Sequence, residues 1–169
     1  QQMANTLIYI QEHGYDTRRE LETDLEEARD NLRQAQKSVE TLNVGLKTLN
    51  SQIHYTGQYF ASKGVYAEFL RAKSKKKFRQ EHASEIRDYE EARDWLQHFY
   101  PDGKMLSMKT LKVRKDEMLK RINDQKVVVS KRREHCAELA IILHNTDMIL
   151  KRKFLERQMD HRKTAEHSL

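Results

Sequence analysis

The sequence contains few of the residues that build disulfide-bonded, turn-rich or membrane-inserted folds. In 169 residues it has one cysteine, Cys136, one proline and five glycines. A lone cysteine excludes an internal disulfide and a cysteine-based zinc site, and it favours a reducing, cytoplasmic environment. No apolar run approaches the roughly 18 residues of a membrane span, and the opening QQMANTLIYIQ has no basic leader before an apolar core. We therefore expect no membrane contact.

Helix formers and charged residues make up most of what is present. Hydrophobic residues account for 37% of the chain and charged residues for 34%, which is lean for a compact globule. Leu, Glu, Lys, Arg, Gln and Ala dominate, and few residues interrupt them. The composition predicts an all-α protein with elongated helices.

Two stretches place apolar residues at alternating spacings of four and three, which is the a/d pattern of a coiled coil. They cover residues 21–53 and 118–150. Polar residues occupy three positions of the second stretch, and Cys136 is expected there as a small buried side chain. The predicted seam consists of Leu21, Leu25, Leu32, Val39, Leu42, Leu46, Leu49, Ile53, Met118, Ile122, Val129, Leu139, Leu143 and Leu150.

The charge distribution favours pairing of these two stretches within one chain. Residues 1–53 carry six basic and nine acidic side chains, whereas residues 118–169 carry twelve and seven. An acidic helix repels its own copy and gains from a basic neighbour, so an antiparallel hairpin is preferred and a homodimer is the alternative. If the two stretches align end to end, facing residue numbers sum to about 171, and Arg132 lies opposite Val39 and near Glu40.

The predicted architecture is a long antiparallel coiled-coil hairpin, the stalk, with a small helical head inserted between its two long helices. Thr17 with Glu20, and later Ser107, have the pattern of helix N-terminal caps. Within the head, we expect helices near residues 65–72 and 78–98, and a turn at Pro101. The predicted boundaries are 1–15 for a short helix ending at Gly14, 16–53 for the first stalk helix, 54–106 for the head, 107–155 for the second stalk helix and 156–169 for a tail.

The middle of the chain is rich in aromatic residues. Ten of the 13 aromatic residues lie between positions 55 and 100. Their helical spacing favours a local core, with base stacking as the alternative role. For stacking, Tyr59, Tyr66 and Tyr100 are the residues expected to be exposed.

A run of cations, RAKSKKKFR, lies inside this aromatic region at residues 71–79. Basic side chains can bind nucleic acid by releasing counterions from phosphates, without reading the bases. Alternatively, the run is a solvated surface whose lysines pair with Glu81 or Glu85. The predicted nucleic-acid-binding residues are Arg71, Lys73, Lys75, Lys76, Lys77 and Arg79.

No pattern of catalytic or metal-binding residues is present. The eight histidines are scattered and include no pair at HExxH spacing. The carboxylates between Asp88 and Asp94 point to several faces of a helix and are interpreted as solubilising charge. We therefore expect no catalytic residue, no metal and no cofactor, and no enzymatic activity in this chain.

Four stretches together resemble a known family. In order, they are LIYIQEHGYDTRREL, YFASKGVYAEFLRAKSKKKFRQEHASEIRDYEEARDWL, PDGKMLSMKTLKVRKDEML and NTDMIL. Their order and spacing resemble the C-terminal helical region of bacterial relaxases, the mobilisation nucleases of conjugative elements of Firmicutes type. The resemblance covers residues 7–150.

The resemblance implies a part of a longer DNA-nicking protein. In that family, a separate N-terminal domain carries the nucleophilic tyrosine and a histidine cluster that binds metal, and no residue of this chain matches those motifs. The implied role is a non-catalytic module that supports mobilisation by contacting the DNA backbone, relaxosome proteins or coupling proteins. A general coiled-coil scaffold that joins proteins and has no DNA role is the alternative.

Overall fold

The computed structural model describes residues 1–13 and 17–168, and this part of the chain is helical without strands. The helices are α1 (Gln2–His13), α2 (Arg18–Arg71), α3 (Lys75–Glu81), α4 (Ala83–Phe99) and α5 (Met108–His167). The predicted all-α fold, with smaller helices between two long helices that pack together, is confirmed. The predicted stop at Gly14 lies outside the described residues.

The long helices extend well beyond their predicted ends. α2 has 54 residues and continues to Arg71, so the expected boundary at residue 53 and the separate helix at 65–72 are wrong. α5 has 60 residues and includes the expected tail as far as His167. The helix expected at 78–98 is divided at His82, which separates α3 from α4.

Local capping follows the sequence patterns. Ser107 precedes α5, and its hydroxyl accepts a hydrogen bond from the Thr110 N–H at 3.1 Å. The Thr17 hydroxyl accepts one from the Glu20 N–H at 3.3 Å. Each bond satisfies an N–H group that the first helical turn leaves without a partner. At the predicted turn, Gly103 adopts φ 73°, a left-handed conformation that glycine tolerates without strain.

The chain forms two compact units, Gln1–Ser38 with Gln125–Leu169 and Val39–Asp124. In the first unit, α1, the start of α2 and the second half of α5 share one apolar core. Its buried members are Leu21, Leu25, Ala28, Cys136, Leu139 and Ile142. α1 is attached to α5 by a buried hydrogen bond of 2.9 Å from Asn145 Nδ2 to Thr6 Oγ1.

The second unit contains the rest of α2, α3, α4 and the first part of α5. Buried apolar residues come from each long helix and from α4, including Leu49, Phe69, Ile86, Leu96 and Leu111. Gln52 on α2 donates a hydrogen bond of 2.8 Å to the hydroxyl of Tyr100, just after α4. The unit is therefore a bundle of several helices, in which α2 packs together with α4 and the first part of α5.

The register of α2 against α5 differs from the expected one. In the first unit, Arg132 Nη1 donates to the Asn31 carbonyl oxygen at 2.8 Å. In the second, a Cβ atom at Gly45 would lie 3.3 Å from Met118 Cε. Both pairs of residue numbers sum to 163 rather than 171, so Arg132 does not face Val39 or pair with Glu40. The shift is close to one heptad, which preserves the apolar alternation.

Most predicted seam residues are buried or half-buried, and one is not. Leu150 is 49% exposed. α2 begins at Arg18, whose guanidinium forms two hydrogen bonds with the carboxylate of Asp147 on α5. Because Leu150 lies beyond this pair, the start of α2 does not cover it.

The Arg18–Asp147 pair predicts a pH-dependent contribution to stability. Hydrogen bonding to Arg18 lowers the pKa of Asp147, so the folded state favours the ionised carboxylate. A lowered carboxyl pKa stabilises the fold above the unfolded pKa of about 3.9, and this contribution is lost as the pH falls through the folded pKa. We expect Asp147→Asn to lower the melting temperature slightly at pH 7 and to match wild type in strong acid.

Thermal unfolding followed by circular dichroism between pH 2 and 7 measures this difference. Asp160→Asn is the control, because it removes an exposed carboxylate of the same helix for which no ion pair is present among the described residues. A deficit in Asp147→Asn that stays constant down to pH 2 would contradict the expectation.

Candidate nucleic-acid interface

Residues 71–79, the basic segment, connect α2 to α4 through α3. Arg71 is the last residue of α2, and Ser74 caps α3 by accepting a hydrogen bond from the Lys77 N–H at 3.4 Å. All six predicted cations are exposed. The structure therefore places the predicted residues together on one short surface, partly helical rather than an irregular linker.

Two phenylalanines fix the course of the basic segment. Phe69 at the end of α2 is buried, and its ring centroid lies 6.3 Å from that of Phe78 in α3. The Phe78 ring stacks in turn on the imidazole of His82 at 4.3 Å. Phe78 is half-buried on the inner side of α3. Lys76, two residues before it, lies on nearly the opposite side of the helix, because successive residues are rotated by about 100°.

The six cations do not have equal surroundings. The Arg79 guanidinium lies 4.8 Å from the centroid of the Phe69 ring, and its Nη1 is 2.9 Å from Oε1 of Glu90 on α4. Lys77 Nζ approaches Glu81 at 4.0 Å. In the described chain, Lys73, Lys75 and Lys76 form no ion pair. Arg79 is therefore a structural cation, whereas these three lysines remain available to an external anion.

A ladder of aromatic rings joins α2 to α4 behind this surface. Tyr55 stacks on Trp95 at 4.7 Å, and Tyr66 stacks on Tyr89 at 4.0 Å. Burial raises the pKa of Tyr89, and its neighbour Tyr59 adds to the increase. The predicted aromatic core is thus present, although much of it is only half-buried.

The aromatic residues expected to be exposed are not the most exposed ones. Tyr59, Tyr66 and Tyr100 are half-buried because they pack between helices. Phe60 is 57% exposed instead, with Lys63 Nζ 6.0 Å from its ring centroid. The sequence pattern does not single out either residue, because the predicted seam of α2 ends at residue 53.

Phe60 and Lys63 belong to the same side of α2 as Arg71. Positions 60, 63, 64, 67 and 71 follow the spacing that lines one face of a helix. A Cβ atom at Gly64 would have no atom within 4 Å, so this face is open around Gly64. This face of α2 continues into the basic segment, and it presents the accessible ring of Phe60 beside the cations Lys63 and Arg71.

A shallow cavity of about 200 Å³ lies in the same unit, near the end of α4. Its lining includes Tyr59, Arg93, Tyr100 and Met105. Arg93 Nη1 donates to the Tyr66 hydroxyl at 3.3 Å, and its hydrogen bond to Asp94 contributes most to the raised pKa of Arg93. Arg93 is therefore held by protein groups.

No group of three or more His, Cys, Asp or Glu side chains in the described part of the chain is arranged to hold a metal ion. The helices of that part of the chain include none with the length and apolar character needed to cross a membrane.

Comparison of the chain with known proteins finds no family model, no curated protein and no solved structure that matches it.

The different surroundings of the cations predict different effects on stability. Arg79→Met removes both the cation–π contact and the ion pair with Glu90, and we expect it to destabilise the second unit by about 1 kcal/mol. Lys76→Met removes an equal charge from an exposed side chain without an ion pair and should change stability by less than about 0.5 kcal/mol. Urea unfolding followed by tryptophan fluorescence reports on this unit through Trp95. Equal effects of the two substitutions would contradict the structural assignment of Arg79.

Proposed function

We propose that this chain is a non-catalytic helical module that binds DNA through the phosphate backbone, with the basic segment as its contact surface. The observation that carries the proposal is that Lys73, Lys75 and Lys76 are exposed and have no ion pair in the described chain. Phe69 and Phe78 hold this segment in place, so its charges are presented on a fixed support.

The chemistry of the surface fits phosphates better than bases. Lysine ammonium groups act as mobile point charges and release counterions, whereas base reading requires side chains that fit an edge of the base pair. The open face of α2 adds Lys63, Arg71 and the exposed ring of Phe60. An accessible ring beside cations is the combination that binds single strands with little sequence preference.

The resemblance to relaxases indicates the biological process in which the proposed DNA contact would act. We propose that the module supports the mobilisation of plasmids or conjugative elements in the cytoplasm, as part of a longer protein whose nuclease domain performs the nicking. Relaxosome and coupling proteins are the expected protein partners. A general coiled-coil scaffold remains the alternative, and DNA titration distinguishes the two.

Reversing the charges of Lys73, Lys75 and Lys76 to Glu should abolish most of the DNA affinity. Fluorescence anisotropy with labelled single- and double-stranded DNA at several salt concentrations measures it. If each lysine neutralises one phosphate, a plot of the logarithm of the association constant against the logarithm of the salt concentration should become less steep by about 2 to 3. At low salt we expect at least a roughly 100-fold weaker affinity.

The matched control reverses Lys109, Lys112 and Lys120, three exposed lysines of α5 in the same unit. It changes the net charge by the same amount and should retain most of the affinity. Equal losses in both variants would show that only net charge matters. Absence of wild-type binding at low salt would refute the DNA proposal and favour the scaffold.

Phe60→Ala tests whether a base stacks on the open face of α2. Stacking on one aromatic ring contributes about 1 to 3 kcal/mol, so affinity for single-stranded DNA should fall roughly 5- to 150-fold. Binding of double-stranded DNA, whose bases are already stacked, should be unchanged. Phe99→Ala, at the exposed end of α4, is the control. A similar loss for both strand forms would show that Phe60 supports the fold rather than a base.

A further inference from the structure

A cavity of about 310 Å³ lies in the first unit, where α1, the start of α2 and the C-terminal part of α5 meet. α1 contributes Leu7 and Ile10 to its lining, and α2 contributes Leu21. The spacing of the α5 residues places them on one face of that helix, and they are Thr146, Ile149, Leu150 and Lys153. The cavity is therefore bounded by three helices, unlike the exposed face of a single helix.

Most of the cavity wall is hydrocarbon. Leu21 is 1% exposed and lies at the inner end, whereas Leu7 and Leu150 are about half-exposed and lie nearer the solvent. Ile10 and Ile149 are half-buried. Leu150 is the predicted seam residue that the start of α2 does not cover. An apolar wall with few polar groups is typical of small-molecule sites, and the volume is at the lower end of their range.

The charged residues that line the cavity are both cations, Arg18 and Lys153. The Arg18 guanidinium already binds the carboxylate of Asp147. Lys153 is exposed and forms no ion pair in the described chain, and the neighbouring Glu156 pairs with Arg152 instead. A negative group at the opening is therefore attracted by Lys153 and meets no carboxylate in the cavity wall.

We propose that this cavity binds the anion of a medium-chain fatty acid, with the hydrocarbon chain inside and the carboxylate beside Lys153. The apolar wall disfavours a ligand with several polar groups, because each group would lose its water without gaining a partner. A fatty-acid anion has one apolar chain and one terminal charge, which matches one apolar cavity and one available lysine. The inference is independent of the proposed DNA contact, because the cavity belongs to the first unit and the basic segment to the second.

Isothermal titration calorimetry tests the apolar part of the proposal with hexanoate, octanoate and decanoate below their micelle-forming concentrations. Each additional buried methylene should strengthen binding about fourfold, so octanoate should bind about 15-fold more tightly than hexanoate. Decanoate should bind more tightly again. An affinity that does not depend on chain length would overturn the proposal.

Reversing the charge of the ligand tests the role of Lys153. Decyltrimethylammonium has the same chain as decanoate and should bind at least about tenfold more weakly. Lys153→Met keeps a hydrocarbon side chain but removes the charge, so this preference for the anion should decrease at least about fivefold. Lys151→Met is the control, because Lys151 is an exposed lysine of the same helix outside the cavity. Equal decreases in both variants would overturn the assignment of Lys153.

Filling the cavity tests where the chain binds. Leu150→Trp places a larger side chain in the opening and should remove measurable decanoate binding. Leu155→Trp is the matched control and should bind as wild type, because both leucines are 49% exposed on α5 but only Leu150 lines the cavity. Circular dichroism verifies that both variants are helical. Decanoate binding that survives Leu150→Trp in a helical protein would overturn the proposed location.

Methyl NMR locates the ligand directly in the wild-type chain. Decanoate should shift the methyl resonances of Leu21 and Ile149 and leave those of Ile86, which is buried in the second unit, unchanged. Shifts confined to the second unit would contradict the proposal.

Vesicles that contain phosphatidylglycerol distinguish a free fatty acid from an acyl chain held in an anionic lipid. The chain should not sediment with these vesicles, because the cavity has room for one hydrocarbon chain and not for a lipid with two. A wild-type chain that binds no decanoate, or that binds the vesicles and not decanoate, would overturn the proposal.

Discussion

Burial of one apolar stripe between α2 and α5 is the constraint on which the rest of the structure depends. Isolated helices gain little stability from backbone hydrogen bonds alone, so helices of 54 and 60 residues need a packed face. In the first unit this face includes Leu21, Leu25 and Leu139, each no more than 3% exposed. A composition with few hydrophobic residues is sufficient because the buried ones are concentrated on this shared stripe.

Opposite charge is a weaker organising force here than the sequence implies. The acidic start and basic end of the chain favoured a hairpin held by complementary charge. However, an ion pair between the long helices joins Arg18 on the acidic helix to Asp147 on the basic one. The signs are the reverse of the average charges. Apolar contacts and a few local ion pairs therefore determine how α2 and α5 pack together, since exposed charges are strongly screened by water.

Packing in the second unit gives the basic segment its properties. The contact between the Phe69 and Phe78 rings fixes the segment, and Arg79 is held by Phe69 and Glu90. The same packing leaves Lys75 and Lys76 exposed. A cation that already contacts protein groups must lose those contacts before it binds a ligand. An exposed lysine gives up only water and counterions when it binds.

The sequence alone determined the helical fold, the phase of the apolar seam, the capping by Ser107 and the location of the basic segment, because these depend on neighbouring residues in one chain. It could not determine the register, since a shift of one heptad superimposes the a/d pattern on itself and costs nothing in periodicity. It also placed the end of α2 at residue 53, although the helix continues to Arg71 because Tyr55, Tyr59 and Tyr66 find their stacking partners on α4. Only tertiary structure distinguished the held Arg79 from the exposed lysines and revealed Phe60, because exposure is set by which neighbours a side chain meets rather than by its own chemistry.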